Sequence, residues 1–228
     1  MDDFPVGPLV LDFTNSAFDE KPAGGATPQR FVASITVFPS IPCTLSRASA
    51  IAPPGTATST ASASETSPPS RPILLTPWPA LDTATWDASH RGGLRPTAAL
   101  LLRATARMGA GGVVVLVGSI EGLRAAPSHA AYAVAKAAVH HLTGAAASEV
   151  GRRGIRVVGV APGLVARAGL EEAWPEGVER FRRASALGRP VTPEEVAATV
   201  AFLASPAASG ITGTTVPVDA GWSTSPGW

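Results

Sequence analysis

The second half of the chain alternates helical runs with short segments that are apolar at every position. Apolar residues recur at helical spacing from Thr97 to Met108, and the continuous run Val113 to Val117 is typical of a strand buried on both faces. An Ala-rich helix is predicted from Ser128 to Val150, followed by a second buried strand from Ile155 to Val160. Strands that alternate with helices of this length indicate a parallel sheet with right-handed crossovers.

Turn and capping residues mark the ends of the later elements. Residues 151–154 close the long helix with glycines and two arginines, which the helix dipole favours at this end. Residues 192–195 (Thr-Pro-Glu-Glu) supply an N-cap, a first-turn proline and two acids, so a helix is predicted from there to about Ala204. A last strand is predicted from Thr214 to Val218. The chain is therefore predicted to have an α/β fold.

The first 96 residues lack this regular alternation. Leu9 to Phe13, Phe31 to Phe38 and Pro72 to Thr76 are candidate strands. Residues 46–71 form a low-complexity Ser/Thr/Ala/Pro stretch with few large apolar groups, which predicts a long loop or linker. Such a loop is unusual inside a compact domain. We predict one domain over residues 1–228, with a divergent N-terminal half and a regular half at 97–222.

Composition excludes several classes of protein. A chain of 228 residues suits one domain with a real core, and its net charge of +1, from scattered basic residues, indicates no nucleic-acid surface. The apolar stretches are shorter than the roughly 18 residues that cross a bilayer, and the acidic start has no signal-peptide pattern. The single cysteine, Cys43, permits no internal disulfide. These features predict a cytoplasmic protein that binds neither nucleic acid nor membrane.

The scarcest residue types of the chain form an acid/base pair. The only tyrosine, Tyr132, and one of the two lysines, Lys136, lie four residues apart in the predicted long helix, so their side chains share one face. A nearby ammonium favours the ionised form of a phenol. Ser119 follows a buried strand, so its hydroxyl is expected beside the phenol at the carboxyl edge of the sheet. The alternative is an ordinary exposed pair at favourable helical spacing.

These residues belong to a longer series of motifs. Ser119 and Tyr132-Ala133-Val134-Ala135-Lys136 are followed in order by Gly154-Ile155-Arg156-Val157, Pro162-Gly163, Leu187-Gly188-Arg189-Pro190, Pro193-Glu194-Glu195-Val196-Ala197, Phe202-Leu203-Ala204-Ser205, Ile211-Thr212-Gly213 and Asp219-Ala220-Gly221. Over about residues 97–222, this series resembles the short-chain dehydrogenase/reductase family. Within that family it is most similar to ketoreductases of the β-ketoacyl type.

The resemblance implies a Rossmann-like, doubly wound parallel sheet and a nicotinamide cofactor, NADP or NAD. It implies that Tyr132 is the catalytic acid and base and that Ser119 orients the substrate oxygen. Lys136 would lower the pKa of the phenol and contact the nicotinamide ribose. Pro162 and Gly163 would lie against the nicotinamide.

The sequence departs from the family in the residues that bind the dinucleotide. The family has a Gly-x-x-x-Gly-x-Gly turn after its first strand, where the backbone approaches the pyrophosphate. Here Leu9 to Phe13 is followed by Thr14-Asn15-Ser16-Ala17-Phe18, with a side chain at every position. Further departures from the family's pattern are Thr76-Pro77-Trp78-Pro79, Gly93 in place of a supporting Asn, Ala161 and Arg167. The first 96 residues therefore show no means of supplying a hydride.

Three functions fit this division of the chain. The favoured one is an oxidoreductase subunit that interconverts a hydroxyl and a carbonyl in a hetero-oligomer with an intact relative, which binds most of the NADP(H). Its substrate would be a small molecule or a carrier-bound β-hydroxy/β-keto acyl or aminoacyl group, as in antibiotic or other secondary metabolism. The second is a stand-alone, homo-oligomeric reductase that binds NADP or NAD by other contacts. The third is a cyclase, dehydratase or isomerase that uses Tyr132 and Lys136 without nicotinamide.

Three further points bear on these alternatives. A shifted reading frame would also account for the irregular first 96 residues. His129 lies one turn before Tyr132, within reach of a substrate, although a partly exposed helix histidine is more often without a function. His140-His141 has no partners at metal-ligand spacing, so we predict no metal site.

Overall fold

The computed structural model describes residues 76–225 and the backbone of residues 32–35. Its four strands form one parallel sheet in the order β1 (Val32–Ile35), β2 (Val113–Val117), β3 (Arg156–Pro162) and β4 (Thr215–Val218). The register pairs Val117 with Val160 and Pro162 with Val218. All four strands therefore end at the same carboxyl edge of the sheet.

Helices connect these strands. They are α1 (Thr83–Ser89), α2 (Arg95–Arg107), α3 (Ala130–Val150), α4 (Leu170–Ala173), α5 (Pro175–Ala184) and α6 (Pro193–Ala204), and a π-helical segment, His90–Leu94, joins α1 to α2. The cap of α6 forms as its sequence predicts, because Thr192 and Glu195 each accept a hydrogen bond from the backbone N–H of the other.

The core lies on both faces of the sheet because alternate residues of a strand point in opposite directions. Leu116 of β2 packs with Leu101 of α2 and Val139 of α3 on one face. Val115 of the same strand packs with Val200 and Leu203 of α6 on the other face. The predicted α/β fold with a doubly wound parallel sheet is therefore confirmed.

Several predicted boundaries shift or lie outside the described residues. The long helix begins at Ala130 rather than Ser128, because Ser128 adopts a left-handed backbone with φ of 65°. β1 falls within the predicted strand Phe31 to Phe38. The candidate strand Leu9 to Phe13, most of Pro72 to Thr76, and the stretch 46–71 lie outside the described residues. The single-domain boundaries stay a prediction.

Helix α5 was not predicted from the sequence. Half of its ten residues are charged, and its main apolar contacts come from Val178 and Phe181, both about 1% exposed. Two large apolar residues in ten give a weak periodic signal. Phe181 nevertheless anchors the helix by packing with Ile120 and Trp222, beside the loop that carries Ser119.

Candidate active site

Ser119 lies just beyond the carboxyl end of β2, where the chain turns toward α3. Gly118 still donates a hydrogen bond to the Val160 carbonyl at 2.8 Å, so β2 stays paired with β3 one residue past its end. Ser119 has an extended backbone, and its Oγ accepts a hydrogen bond from the Glu121 N–H at 3.2 Å. Ser119 is therefore a buried residue at the sheet edge where ligands bind in such folds.

Helix α3 brings Tyr132 and Lys136 to the same edge. Lys136 Nζ donates a hydrogen bond at 3.1 Å to the carbonyl of Val117, the last residue of β2. The same Nζ lies 5.8 Å from the centroid of the Tyr132 ring. Lys136 is 4% exposed, so its ammonium is enclosed between strand and helix. The structure thus brings together all three residues predicted to be catalytic: Ser119, Tyr132 and Lys136.

The phenol of Tyr132 has a raised pKa. Burial is the largest cause, and the negative charge of Glu121 acts in the same direction. A hydrogen bond from the Ser119 hydroxyl acts the opposite way and is outweighed. Whether Lys136 lowers the pKa of the phenol stays a prediction, since the net shift reflects burial, Glu121 and Ser119. At neutral pH Tyr132 is a protonated phenol, which is the form that donates a proton.

Lys136 is affected by burial as well. Removal from water lowers the pKa of its ammonium to about 8, because the charged form loses solvation. At neutral pH the group is still mostly protonated. It therefore places a positive charge near the phenol ring, where a phenolate formed during reaction would be stabilised.

Glu121 and His129 form a pair that flanks this site. His129 Nδ1 lies 2.5 Å from Glu121 Oε2, and the two side chains are only 15% and 13% exposed. From the sequence, His129 was considered alone and Glu121 was missed. The available signal was position, since Glu121 lies two residues after Ser119 and His129 three residues before Tyr132. The pair therefore brings His129 to the carboxylate whose charge acts on Tyr132.

His140 also belongs to the site, one helical turn after Lys136. Its Nε2 lies 3.3 Å from the Ser119 backbone nitrogen and accepts a hydrogen bond from that N–H. Burial and the charge of Lys136 lower the pKa of His140 to about 4. From the sequence, His140 was considered only as a metal ligand, and this contact was missed. Ser119 and His140 lie 21 residues apart in the sequence, so spacing along the chain does not predict a hydrogen bond between them.

Pro162 and Gly163, predicted to contact the cofactor, lie at the carboxyl end of β3. The Gly163 N–H donates a hydrogen bond at 2.9 Å to the Val218 carbonyl of β4. A Cβ at Gly163 would lie 2.9 Å from Asp219 Cα, so a glycine is required for this close approach. Both residues lie at the same sheet edge as Ser119, although the contact with a cofactor stays a prediction.

Among the residues that the structure describes, no group of three or more His, Cys, Asp or Glu side chains is arranged to hold a metal ion. No helix there has the length and apolar character that crossing a membrane requires.

Comparison with known proteins places most of the chain in one family. A family model described as enoyl-(acyl carrier protein) reductase matches residues 70–223. Galactitol 2-dehydrogenase (L-tagatose-forming) of Cereibacter sphaeroides is 34% identical over 224 residues, covering 94% of this chain and 84% of that protein. Meso-2,3-butanediol dehydrogenase of Serratia marcescens is 43% identical over 117 residues, covering 51% of this chain and 46% of that protein. The chain thus spans about half the length of several of these curated relatives and most of the length of the galactitol 2-dehydrogenase.

Solved structures give the same result. A short-chain dehydrogenase/reductase from Serratia marcescens is 30% identical with a TM-score of 0.61, over 66% of this chain and 62% of that one. The angucycline C-6 ketoreductase LanV with bound NADP is 26% identical with a TM-score of 0.62, over 65% of this chain and 58% of that one. The fold, the ordered motifs and these similarities agree. The chain belongs to the short-chain dehydrogenase/reductase family of oxidoreductases.

Proposed function

We propose that this chain is an oxidoreductase subunit that interconverts a hydroxyl and a carbonyl group. Tyr132 is the acid and base, Ser119 anchors the reacting oxygen, and Lys136 supplies the neighbouring positive charge. The observation that carries the proposal is the convergence of a buried serine, a phenol of raised pKa and a buried ammonium at one sheet edge. The names of the relatives, which are dehydrogenases and reductases, support it.

In the direction of reduction, Tyr132 donates its phenolic proton to the carbonyl oxygen of the substrate. The Ser119 hydroxyl holds the same oxygen, which fixes its position relative to the phenol. Loss of the proton leaves a phenolate, and the Lys136 charge 5.8 Å from the ring centroid stabilises it. In the direction of oxidation, the phenolate accepts the alcohol proton.

The described residues fit the nicotinamide end of a dinucleotide. An ammonium and a phenol lie at the carboxyl edge of a parallel sheet, where such folds bind dinucleotides. Lys136, Pro162 and Gly163 would hold this end, and a bound nicotinamide would supply or accept the hydride. The bound NADP of the similar ketoreductase LanV supports this class of cofactor.

We further infer that an intact relative binds most of the dinucleotide in a hetero-oligomer. The support is the sequence of residues 14–18, which has a side chain at every position where the family has its glycine turn. The name of one relative, 3-oxoacyl-[acyl-carrier-protein] reductase, supports a carrier-bound β-keto or β-hydroxy substrate. The alternative is a stand-alone reductase, which would bind NADPH without a partner.

The test of the chemistry is turnover of a β-ketoacyl thioester, followed by the absorbance of NADPH, with the chain alone and with a co-expressed intact relative. Tyr132→Phe keeps the ring and removes the acid, so kcat should fall by about 10²–10⁴. NADPH affinity should not change in this variant. Unchanged kcat in a folded Tyr132→Phe protein would exclude Tyr132 as the acid.

The test of the partner is titration of NADPH by calorimetry. We expect weak binding to the isolated chain and strong binding to the hetero-oligomer, because the missing glycine turn normally contacts the pyrophosphate. Micromolar affinity of the isolated chain would contradict the partner and would favour the stand-alone reductase. This result would leave the roles of Ser119, Tyr132 and Lys136 in place.

A further inference from the structure

The loop that carries Ser119 is shaped around the ring of His140. A Cβ at Gly118 would lie 2.0 Å from His140 Nε2 and 2.3 Å from Cδ2. A Cβ at Gly122 would lie 2.9 Å from His140 Cε1. Real side chains do not approach so closely, so Gly118 must be glycine for the ring to occupy this place. At Gly122 a Cβ would also lie 2.7 Å from backbone atoms of Lys136 and Ala137, so the α3 backbone and the ring both require a glycine there. Gly118 directly precedes Ser119, and Gly122 ends the short turn Ile120–Gly122.

The His140 ring also makes a directed polar contact. The Ser119 N–H donates to His140 Nε2 at 3.3 Å, which requires a lone pair on that nitrogen. A neutral ring with a lone pair on Nε2 carries its hydrogen on Nδ1, a buried atom that has no hydrogen-bond partner among the described residues, so the contact of Nε2 decides the tautomer. A backbone N–H buried without a partner is unfavourable, so this contact fixes the loop at the catalytic residue itself.

The charge of Lys136, one turn earlier on the same face of α3, favours this neutral form. It lowers the pKa of His140 in the same direction as burial, because two adjacent cations would repel each other. The ammonium of Lys136 and the ring of His140 therefore act on successive parts of one chain segment. Lys136 binds the carbonyl of Val117, and His140 binds the N–H of Ser119.

An apolar side chain of similar volume at position 140 would pack against the glycines without accepting the hydrogen bond from the Ser119 N–H. A leucine in this place would leave the Ser119 N–H without its acceptor. The direction of the Ser119 hydroxyl depends on this backbone, because its Oγ is bound within the same turn to the Glu121 N–H. We propose that His140 is a positioning residue, whose Nδ1-protonated ring holds the Ser119 backbone and so aims the Ser119 hydroxyl at the substrate oxygen. This inference rests on the proposed function for its catalytic consequence.

The matched variants are His140→Gln and His140→Leu in the full-length chain. The Gln amide oxygen reaches the position of Nε2 and keeps an acceptor, whereas Leu fills space without one. We expect exchange of the Ser119 amide hydrogen to be about tenfold faster in His140→Leu, as for the loss of one hydrogen bond, and close to wild type in His140→Gln. With a β-ketoacyl thioester and NADPH, kcat should fall by about tenfold in His140→Leu and recover in His140→Gln, with little change in KM.

A second measurement needs no variant. The ¹⁵N chemical shifts of His140 in the wild-type chain should show hydrogen on Nδ1 and a free lone pair on Nε2. The opposite tautomer would overturn the proposal, as would unchanged amide exchange in His140→Leu. A folded His140→Gln protein as impaired as His140→Leu would also overturn it, because ring shape alone would then matter.

These readouts separate the inference from the proposed function. Amide exchange and ring tautomer report on the positioning of Ser119 whether or not a carbonyl substrate turns over. If both agree with the proposal while no carbonyl compound is reduced with or without the partner, the proposed function is wrong and the positioning contact stands. If carbonyl reduction depends on Tyr132 but not on His140, the positioning role is wrong and the proposed function stands.

Discussion

Two polar clusters of this protein differ in what shifts their pKa values. At the sheet edge, burial is the main cause for Tyr132, Lys136 and His140, and in each case it opposes the charged form. At the start of α6, hydrogen bonds from Arg189 lower the pKa of Glu195 to about 2, which favours the charged form. In the first cluster, folding makes the ionised forms of the side chains less stable. In the second cluster, folding makes the ionised form of Glu195 more stable.

The difference indicates where function lies. At the cap of α6, Arg189 donates to both carboxylate oxygens of Glu195, at 2.9 and 2.6 Å, and Thr192 completes the reciprocal cap. Such an arrangement satisfies its own groups and stabilises a helix end. Groups that are held in an unfavourable environment near a sheet edge are typical of reacting sites. Three substitutions, from the largest expected effect to the smallest, test this contrast.

The largest expected effect on stability is that of Lys136→Met. Folding lowers the Lys136 pKa from 10.5 to about 8, so at neutral pH the folded state holds an ammonium at a cost of about 3 kcal/mol. Met fills a similar space without a charge, although the hydrogen bond to Val117 is lost. We expect urea denaturation at neutral pH to give a free energy of unfolding about 2 kcal/mol higher for the variant, while turnover is lost.

The pH dependence gives the same prediction a control. Between about pH 8 and pH 10, the unfolded wild-type chain keeps the Lys136 proton that the folded chain releases. The free energy of unfolding of the wild-type protein should therefore rise with pH in this range. Above about pH 10 the trend should reverse, because Tyr132 ionises in the unfolded chain first. Lys136→Met should remove the rise in the free energy of unfolding, and Tyr132→Phe should remove the fall above about pH 10. A rise that persists in Lys136→Met would mean that another group causes it.

The sequence predicts the catalytic set better than its surroundings. Helical spacing was enough to place Tyr132 and Lys136 on one face, and the buried strand was enough to place Ser119 at its end. Glu121 and His140 were missed because their contacts depend on the path of the loop after β2, which side-chain packing decides. The burial of Tyr132, which raises its pKa, was missed for the same reason, since burial is a property of the folded chain.

The second substitution, Gly118→Ala, tests whether this cluster is as closely packed as its geometry indicates. The new Cβ would lie 2.0 Å from His140 Nε2, so the ring or the loop must move. Overpacking of this kind costs about 1–3 kcal/mol, and the displaced Ser119 should reduce kcat as well. Thermal or urea unfolding of the variant measures the first effect, and NADPH-dependent turnover measures the second.

A double-mutant cycle isolates the cause. His140→Ala removes the ring that the new Cβ would meet, so the double variant should be more stable than the sum of the single effects predicts. Gly109→Ala is the matched control, because a Cβ there would meet nothing within 4 Å. We expect that control to change stability by no more than about 0.5 kcal/mol. Additive effects of Gly118→Ala and His140→Ala would show that the contact is not the cause.

The smallest expected effect comes from the other cluster. Thr192→Ala removes the oxygen that accepts the Glu195 N–H at 3.2 Å, and the loss of an N-cap oxygen costs about 1 kcal/mol. Thr192→Ser keeps that oxygen and should be close to wild type. Because the hydrogen bonds of the cap run among Arg189, Thr192 and Glu195 themselves, kcat should stay within about twofold of wild type in both variants.

Urea denaturation and turnover measured on the same samples separate the two clusters. Lys136→Met should gain stability and lose activity, whereas Thr192→Ala should lose stability and keep activity. A large loss of turnover in Thr192→Ala would mean that the cap also positions the active site, and the contrast between the clusters would then fail.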